Sequence, residues 1–138
     1  MGTIVNTDYK YSELTGRIIG CAIEVHNELG PGFQEKFYHR ALEIEMSLQG
    51  ISYVSEYENT VFYKGEYLGR RRSDFLVEDK ISVEIKAVSE MDDGDLCQAI
   101  NYLEAYRLEV GLLINFGGPR LVYKRLINSK FNKNTDRH

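Results

Sequence analysis

The chain has 138 residues, 43% hydrophobic and 28% charged, with a formal net charge of −4. That length fits one globular domain over residues 1–138, with a core from about 11 to 127 and short flexible termini. The acidic balance argues against coating nucleic acid by bulk electrostatics but leaves a local basic groove open. No run approaches the roughly 18 apolar residues of a membrane span, and MGTIVNTDYKYSEL lacks the features of a secretory signal, so a cytoplasmic location away from membranes is expected.

Leu14, Ile18, Ala22, Val25 and Leu29 recur at helical spacing, which predicts a helix over Tyr11 to Leu29 that stops at Gly30. A second helix is predicted from Gln34 to Gln49 through Phe37, Ala41, Leu42, Ile44 and Leu48, closed by Gly50. From Ser52 the pattern becomes strand-like. SYVSEYENTVFY, EYLGRRRSDFLV and ISVEIKAV predict a three-strand meander, turning at Lys64-Gly65 and around Glu78 to Lys80. DDGDLCQAINYLEAYRLE, with acidic residues in its first turn, predicts a third helix. VGLLINF then reads as a strand covered on both faces, and RLVYKRLI as an edge strand. The order α-α-β-β-β-α-β-β predicts an α/β fold, a mixed sheet flanked by helices. Cys21 and Cys97 lack metal or disulfide spacing and read as small core residues.

The stretch DFLVEDKISVEIKAV carries charges where apolar residues are expected. Alternation points Glu84 and Lys86 the same way. If Glu78, Asp79 and Lys80 form a three-residue loop, Val77 pairs with Ile81 and Asp74 falls across from Glu84. Opposed Cβ atoms in such a ladder lie about 4.5–5.5 Å apart, so two facing carboxylates need a shared proton or a cation. Lys86, Arg71 or Arg72 can supply the positive charge. So can a hard divalent ion such as Mg²⁺, which offsets charge on a phosphoryl oxygen and suits phosphodiester hydrolysis. A solvated polar face on an edge hairpin is the plainer account, and a one-residue slip would separate the pair.

GFQEKFY, in which Gly32, Glu35 and Tyr38 are spaced as GxxExxY, stands with SDFLVEDKISVEIKA, QAINYL and GLLINFG in an order and spacing that resemble the GxxExxY family of small bacterial proteins, placed in the PD-(D/E)XK nuclease superfamily. The resemblance covers about Leu14 to Leu126. It implies a restriction-endonuclease-like core, with Asp74 and Glu84 as carboxylates binding Mg²⁺ or Mn²⁺ and Lys86 as the active-site lysine. It also implies that Glu35 joins the metal site from its helix. Helical spacing sets Tyr38 beside Glu35, to buttress that carboxylate or contact substrate. Gln98 and Tyr102 resemble the QxxxY element of some nuclease branches, which lies near the lysine and lines the substrate channel. Ser73 stands where the superfamily name expects proline.

Elsewhere, His26 reads as a hydrogen-bonded packing residue and His138 as a terminal one; His39, next to Tyr38, could face the site but reads more readily as a surface residue. A guanidinium of the Arg70 to Arg72 run, Arg71 and Arg72 included, is placed to reach a backbone phosphate. Tyr63, Tyr67 or Tyr106 could stack on bases, although most of the tyrosines read as packing residues. The expected activity is metal-dependent hydrolysis of nucleic acid, DNA ahead of RNA, with a homodimer as one route to cutting two strands. The alternative is a non-catalytic module that keeps the fold to bind nucleic acid or protein.

Overall fold

A computed structural model describes residues 10–131; His138 lies outside the described residues. Helix α1 (Ser12–Leu29) forms along the apolar stripe and buries Ile18, Cys21, Ala22 and Val25. It ends at Gly30, whose φ of 70° lets its N–H reach back to His26 O. His26 is buried and packs as expected, its Nε2 3.0 Å from Gly118 O.

Helix α2 (Glu35–Leu48) buries only part of the expected stripe, Leu42 with Ala41 packed beside the core. Phe37, Ile44 and Leu48 are exposed, whereas Tyr38, Leu42 and Met46 are fully buried. Steps of four residues line these three up against the core, and they set Glu35, His39 and Glu43 in a polar stripe beside them.

Strands β1 (Tyr53–Tyr63), β2 (Glu66–Val77) and β3 (Ile81–Lys86) form an antiparallel meander. β4 (Val110–Asn115) runs parallel to β3, and β5 (Val122–Ile127) lies antiparallel to β4 at the far edge, giving the order β1-β2-β3-β4-β5. Helix α3 (Asp93–Tyr106) supplies the crossover that a parallel pair requires. Asp92 and Asp95 cap its start reciprocally, each carboxylate accepting the other's backbone N–H, at 2.9 and 3.1 Å.

The core lies on both sides of this sheet. Phe75, Val77, Ile81, Val83, Ile85, Leu112 and Ile114 pack toward α1 and α2, while Leu113 and Leu126 pack against Ala99 and Leu103 of α3. β4 is therefore covered on both faces, as its unbroken apolar run requires. Gly111 permits the close approach of α3, since a Cβ there would lie 2.7 Å from Leu103 Cδ2. Cys21 is in the core, but Cys97 is exposed, on the side of α3 opposite Ala99, Tyr102 and Leu103, which corrects its expected burial. No described helix is long and apolar enough to cross a membrane.

Candidate active site

The Glu78–Lys80 loop closes as the sequence suggests. Glu78 and Asp79 adopt left-handed conformations, and the Lys80 N–H donates to Val77 O at 2.9 Å. The ladder then pairs Val77 with Ile81, Leu76 with Ser82 and Phe75 with Val83, and there it stops. Beyond this point the sheet forks: β2 continues with β1 to Tyr63↔Glu66, and β3 continues with β4 to Lys86↔Asn115. Asp74 and Glu84 stand in the mouth of the fork.

The expected regular pairing of Asp74 with Glu84 on one face does not hold, because the alternation of β1 and β2 slips there by one residue. Ser55 and Phe75 meet Glu43 and His39 of α2. Two residues on from Ser55 and four back from Phe75, where the same face is due, Tyr57 and Arg71 instead meet Tyr106 and Tyr102 of α3. Glu56, between the pairs Ser55↔Phe75 and Tyr57↔Ser73, holds a left-handed φ of 53°, and the strand turns over there without a change of register; the register shift of this strand pair lies farther on, between Val61 and Phe62. Asp74 consequently faces α2, lining a cleft of about 390 Å³ with Glu35, Lys36, His39, Glu43, Glu56 and Arg72.

Glu84 faces the other way and is only 8% exposed. Its Oε2 accepts the Ser73 hydroxyl at 2.5 Å, and Ser73 also lies 3.2 Å from the Ser82 hydroxyl. Serine in place of proline thus supplies a donor that proline lacks. The Glu84 carboxyl still reaches Asp74. Burial, then the Asp74 charge and a hydrogen bond to the Asp74 carboxylate, push it up to about 8, against the Ser73 and Asp74 backbone donors that pull it down. Asp74 Oδ2 accepts the Ile85 N–H at 2.8 Å.

Glu35 opens α2 at the rim of the cleft. Burial and the charge of Asp74 raise its pKa, offset by Lys86 and His39. Lys86 Nζ lies 3.5 Å from Asp95 Oδ1 and donates to Gln98 Oε1 at 3.4 Å, so helix α3 steers the ammonium. Tyr102 has the Arg71 guanidinium 4.1 Å above its ring and Tyr106 stacked at 5.8 Å. Tyr106 donates to Tyr57 O and Arg71 O, and burial followed by Glu84 pushes its phenol up to about 12. Arg72 lines the cleft held by Glu56 and Glu58, at 2.8 and 3.4 Å.

Tyr38 has no access to a substrate. It is fully buried, stacked on Phe116 at 4.9 Å, donating to Gly30 O at 2.5 Å and accepting the Phe33 N–H at 3.2 Å. It braces the turn from which α2 and Glu35 start. His39, expected at the surface, instead enters the cleft: its Nδ1 is 3.7 Å from Asp74 Oδ1, and its Nε2 is 3.4 Å from Glu43 Oε2. The Asp74 carboxylate beside it raises its pKa, against the opposite effect of burial and with further help from the Glu43 and Glu56 charges. The spacing of Glu35, His39 and Glu43 was the signal for this stripe; Glu56, Ser73 and Asp95 carry none that spacing reveals.

Among the described residues, no three His, Cys, Asp or Glu side chains are grouped to hold a metal ion. The donor chemistry fits an open site. Glu84, buried and held by the Ser73 hydroxyl, and Asp74, held by the Ile85 N–H, stand at one fork in the sheet, and such a pair suits a hard cation that takes one or two carboxylates and completes its shell with water and phosphate oxygens. Glu35 stands one step back from that pair.

The fold is similar to that in the crystal structure of SSO0001, with a TM-score of 0.52 and 17% identity, covering 74% of this chain and 54% of that one. The chain thus spans about half the length of that protein, and at this identity the likeness concerns fold alone. No curated protein matches the sequence significantly. The family model of the PD-(D/E)XK nuclease superfamily matches residues 12–126, and the chain belongs to that superfamily.

Proposed function

We propose that the protein is a Mg²⁺- or Mn²⁺-dependent nuclease of the GxxExxY family that hydrolyses phosphodiester bonds of nucleic acid in the cytoplasm, DNA ahead of RNA. The observation that carries this reading is the Glu84 carboxyl, buried against Asp74 at a fork in the sheet, with Lys86 two residues along the same strand face. Asp74 and Glu84 would hold the cation, with Glu35 reaching it through water. When bound, such an ion supplies Lewis acidity toward a phosphoryl oxygen and acidifies water.

The chain's own side chains complete the chemistry. Lys86, steered by Asp95 and Gln98, presents a positive charge to orient the attacking water or balance the developing anion. Arg71 and Arg72 precede Asp74 on β2 and would contact the backbone phosphates of a strand entering the fork. Ser73 holds Glu84 by its hydroxyl, which keeps one carboxyl oxygen fixed.

The test is cleavage of single-stranded, duplex and branched DNA and RNA in Mg²⁺ or Mn²⁺, beside Lys86→Ala. Cleavage by the wild type that vanishes in the variant and in chelator supports the reading. Equal cleavage by both proteins, or binding without cleavage of any substrate, would leave the non-catalytic module as the better account.

A further inference from the structure

His39 sits in the cleft and has no part in the chemistry above. Its ring stacks on Phe75, the neighbour of Asp74, with centroids 4.3 Å apart and planes 19° from parallel. One ring nitrogen faces Asp74 Oδ1 and the other faces Glu43 Oε2, at 3.7 and 3.4 Å. Glu43 is itself held, accepting from the Ser55 hydroxyl of β1 and from Arg40 Nη1, the latter at 2.9 Å. A continuous brace therefore runs from β1 through α2 to Asp74 on β2, across the place where Glu56 breaks the alternation.

A solvated surface histidine does not account for this arrangement. The His39 side chain is 15% exposed, and its Nε2 is buried facing Glu43 Oε2 at 3.4 Å in a charge contact without hydrogen-bond geometry, a placement that a solvated rotamer would not adopt. The brace also complements the other hold on Asp74, since Oδ2 accepts the Ile85 N–H while Oδ1 is the oxygen that faces His39.

We propose that His39 is a positioning residue: its imidazole, fixed by Phe75 and Glu43, sets the direction of the Asp74 carboxylate. The effect on catalysis rests on the nuclease reading, whereas the effect on Asp74 does not. Partners that orient a ligating carboxylate typically change metal affinity or activity about 10–100-fold when removed.

The experiment compares wild type, His39→Phe and His39→Asn. Phenylalanine keeps the ring on Phe75 and removes the nitrogen facing Asp74; asparagine places an amide nitrogen near the position of Nδ1. The readouts are the Ile85 amide resonance in a ¹H–¹⁵N spectrum, Mn²⁺ affinity by calorimetry, and kcat and KM for DNA. In His39→Phe the Ile85 amide shifts, Mn²⁺ affinity falls about tenfold and kcat falls with KM little changed. His39→Asn recovers most of each. An unmoved Ile85 amide in His39→Phe, or an Asn variant no nearer to wild type than the Phe variant, overturns the proposal. Should His39→Phe fail to fold, His39→Gln, whose amide reaches toward Glu43 and not Asp74, takes its place. If wild type neither binds Mn²⁺ nor cuts nucleic acid while the Ile85 amide moves and is restored as described, the nuclease reading fails and the positioning role stands.

Discussion

Glu84 and Asp74 bring their carboxyls together from opposite sides of the sheet, at the point where β2 parts from β3. Burial and the Asp74 charge lift Glu84 to about 8, so the folded chain holds a proton there that the unfolded chain releases near pH 4.5. Between those values the native state binds more protons than the unfolded state, and the contribution of Glu84 to stability falls as pH rises, levelling off above about pH 8. Glu84→Gln removes this dependence while keeping an acceptor for Ser73. Thermal unfolding from pH 4 to 9 should show the variant gaining on wild type as pH rises, by roughly 1–3 kcal/mol at pH 8. A difference that does not change with pH would contradict this account.

Lys86 is about one quarter exposed, and its bonds to Asp95 and Gln98 lie near the surface. Lys86→Ala should therefore change stability by about 1 kcal/mol or less while lowering the cleavage rate 100-fold or more. Parallel unfolding and cleavage assays separate the two. A large loss of stability with cleavage retained would make the lysine structural.

Glu56 holds φ at 53° inside a strand, a conformation that costs an ordinary residue roughly 1 kcal/mol and a β-branched one more. Glu56→Gly should be neutral or stabilising by up to about 1 kcal/mol, even without the exposed Arg72 pair. Glu56→Val should destabilise by about 1–3 kcal/mol and reduce cleavage, because it favours the regular ladder that turns Asp74 away from α2. Denaturant midpoints and initial rates check both variants, and Val tolerated as well as Gly would remove the left-handed turn from the account.

Tyr38→Phe deletes the hydroxyl that joins Gly30 O to the Phe33 N–H and leaves the ring on Phe116. The expected cost is about 1–3 kcal/mol. Glu35 is then less firmly placed, and kcat should fall by less than tenfold with KM for DNA unchanged. A raised KM would mean that Tyr38 reaches substrate after all.

Much of this molecule is legible in the chain. Apolar periodicity placed the three helices and five strands within a few residues, and the three-residue loop Glu78–Lys80 fixed the register up to Phe75↔Val83. The site was legible only in part, because Asp74 takes its direction from Glu56, eighteen positions away, and no local pattern in SEYEN announces a left-handed residue. The inward face of α2 is legible at Leu42 but not at its edges. Phe37, Ile44 and Leu48 have the apolarity of core residues yet are exposed, while Tyr38, tied by its hydroxyl to Gly30 O, lies inward with Leu42 and Met46. That placement also carries His39 into the cleft.

The central claim is that the Asp74–Glu84 pair holds a divalent cation. Calorimetric titration of Mn²⁺ at pH 8, with a DNA oligonucleotide present, into wild type, Asp74→Asn and Glu84→Gln tests it most directly. The account predicts saturable binding by wild type that weakens at least about tenfold in each variant. Wild type that takes up no Mn²⁺, or variants that bind it equally well, would contradict it.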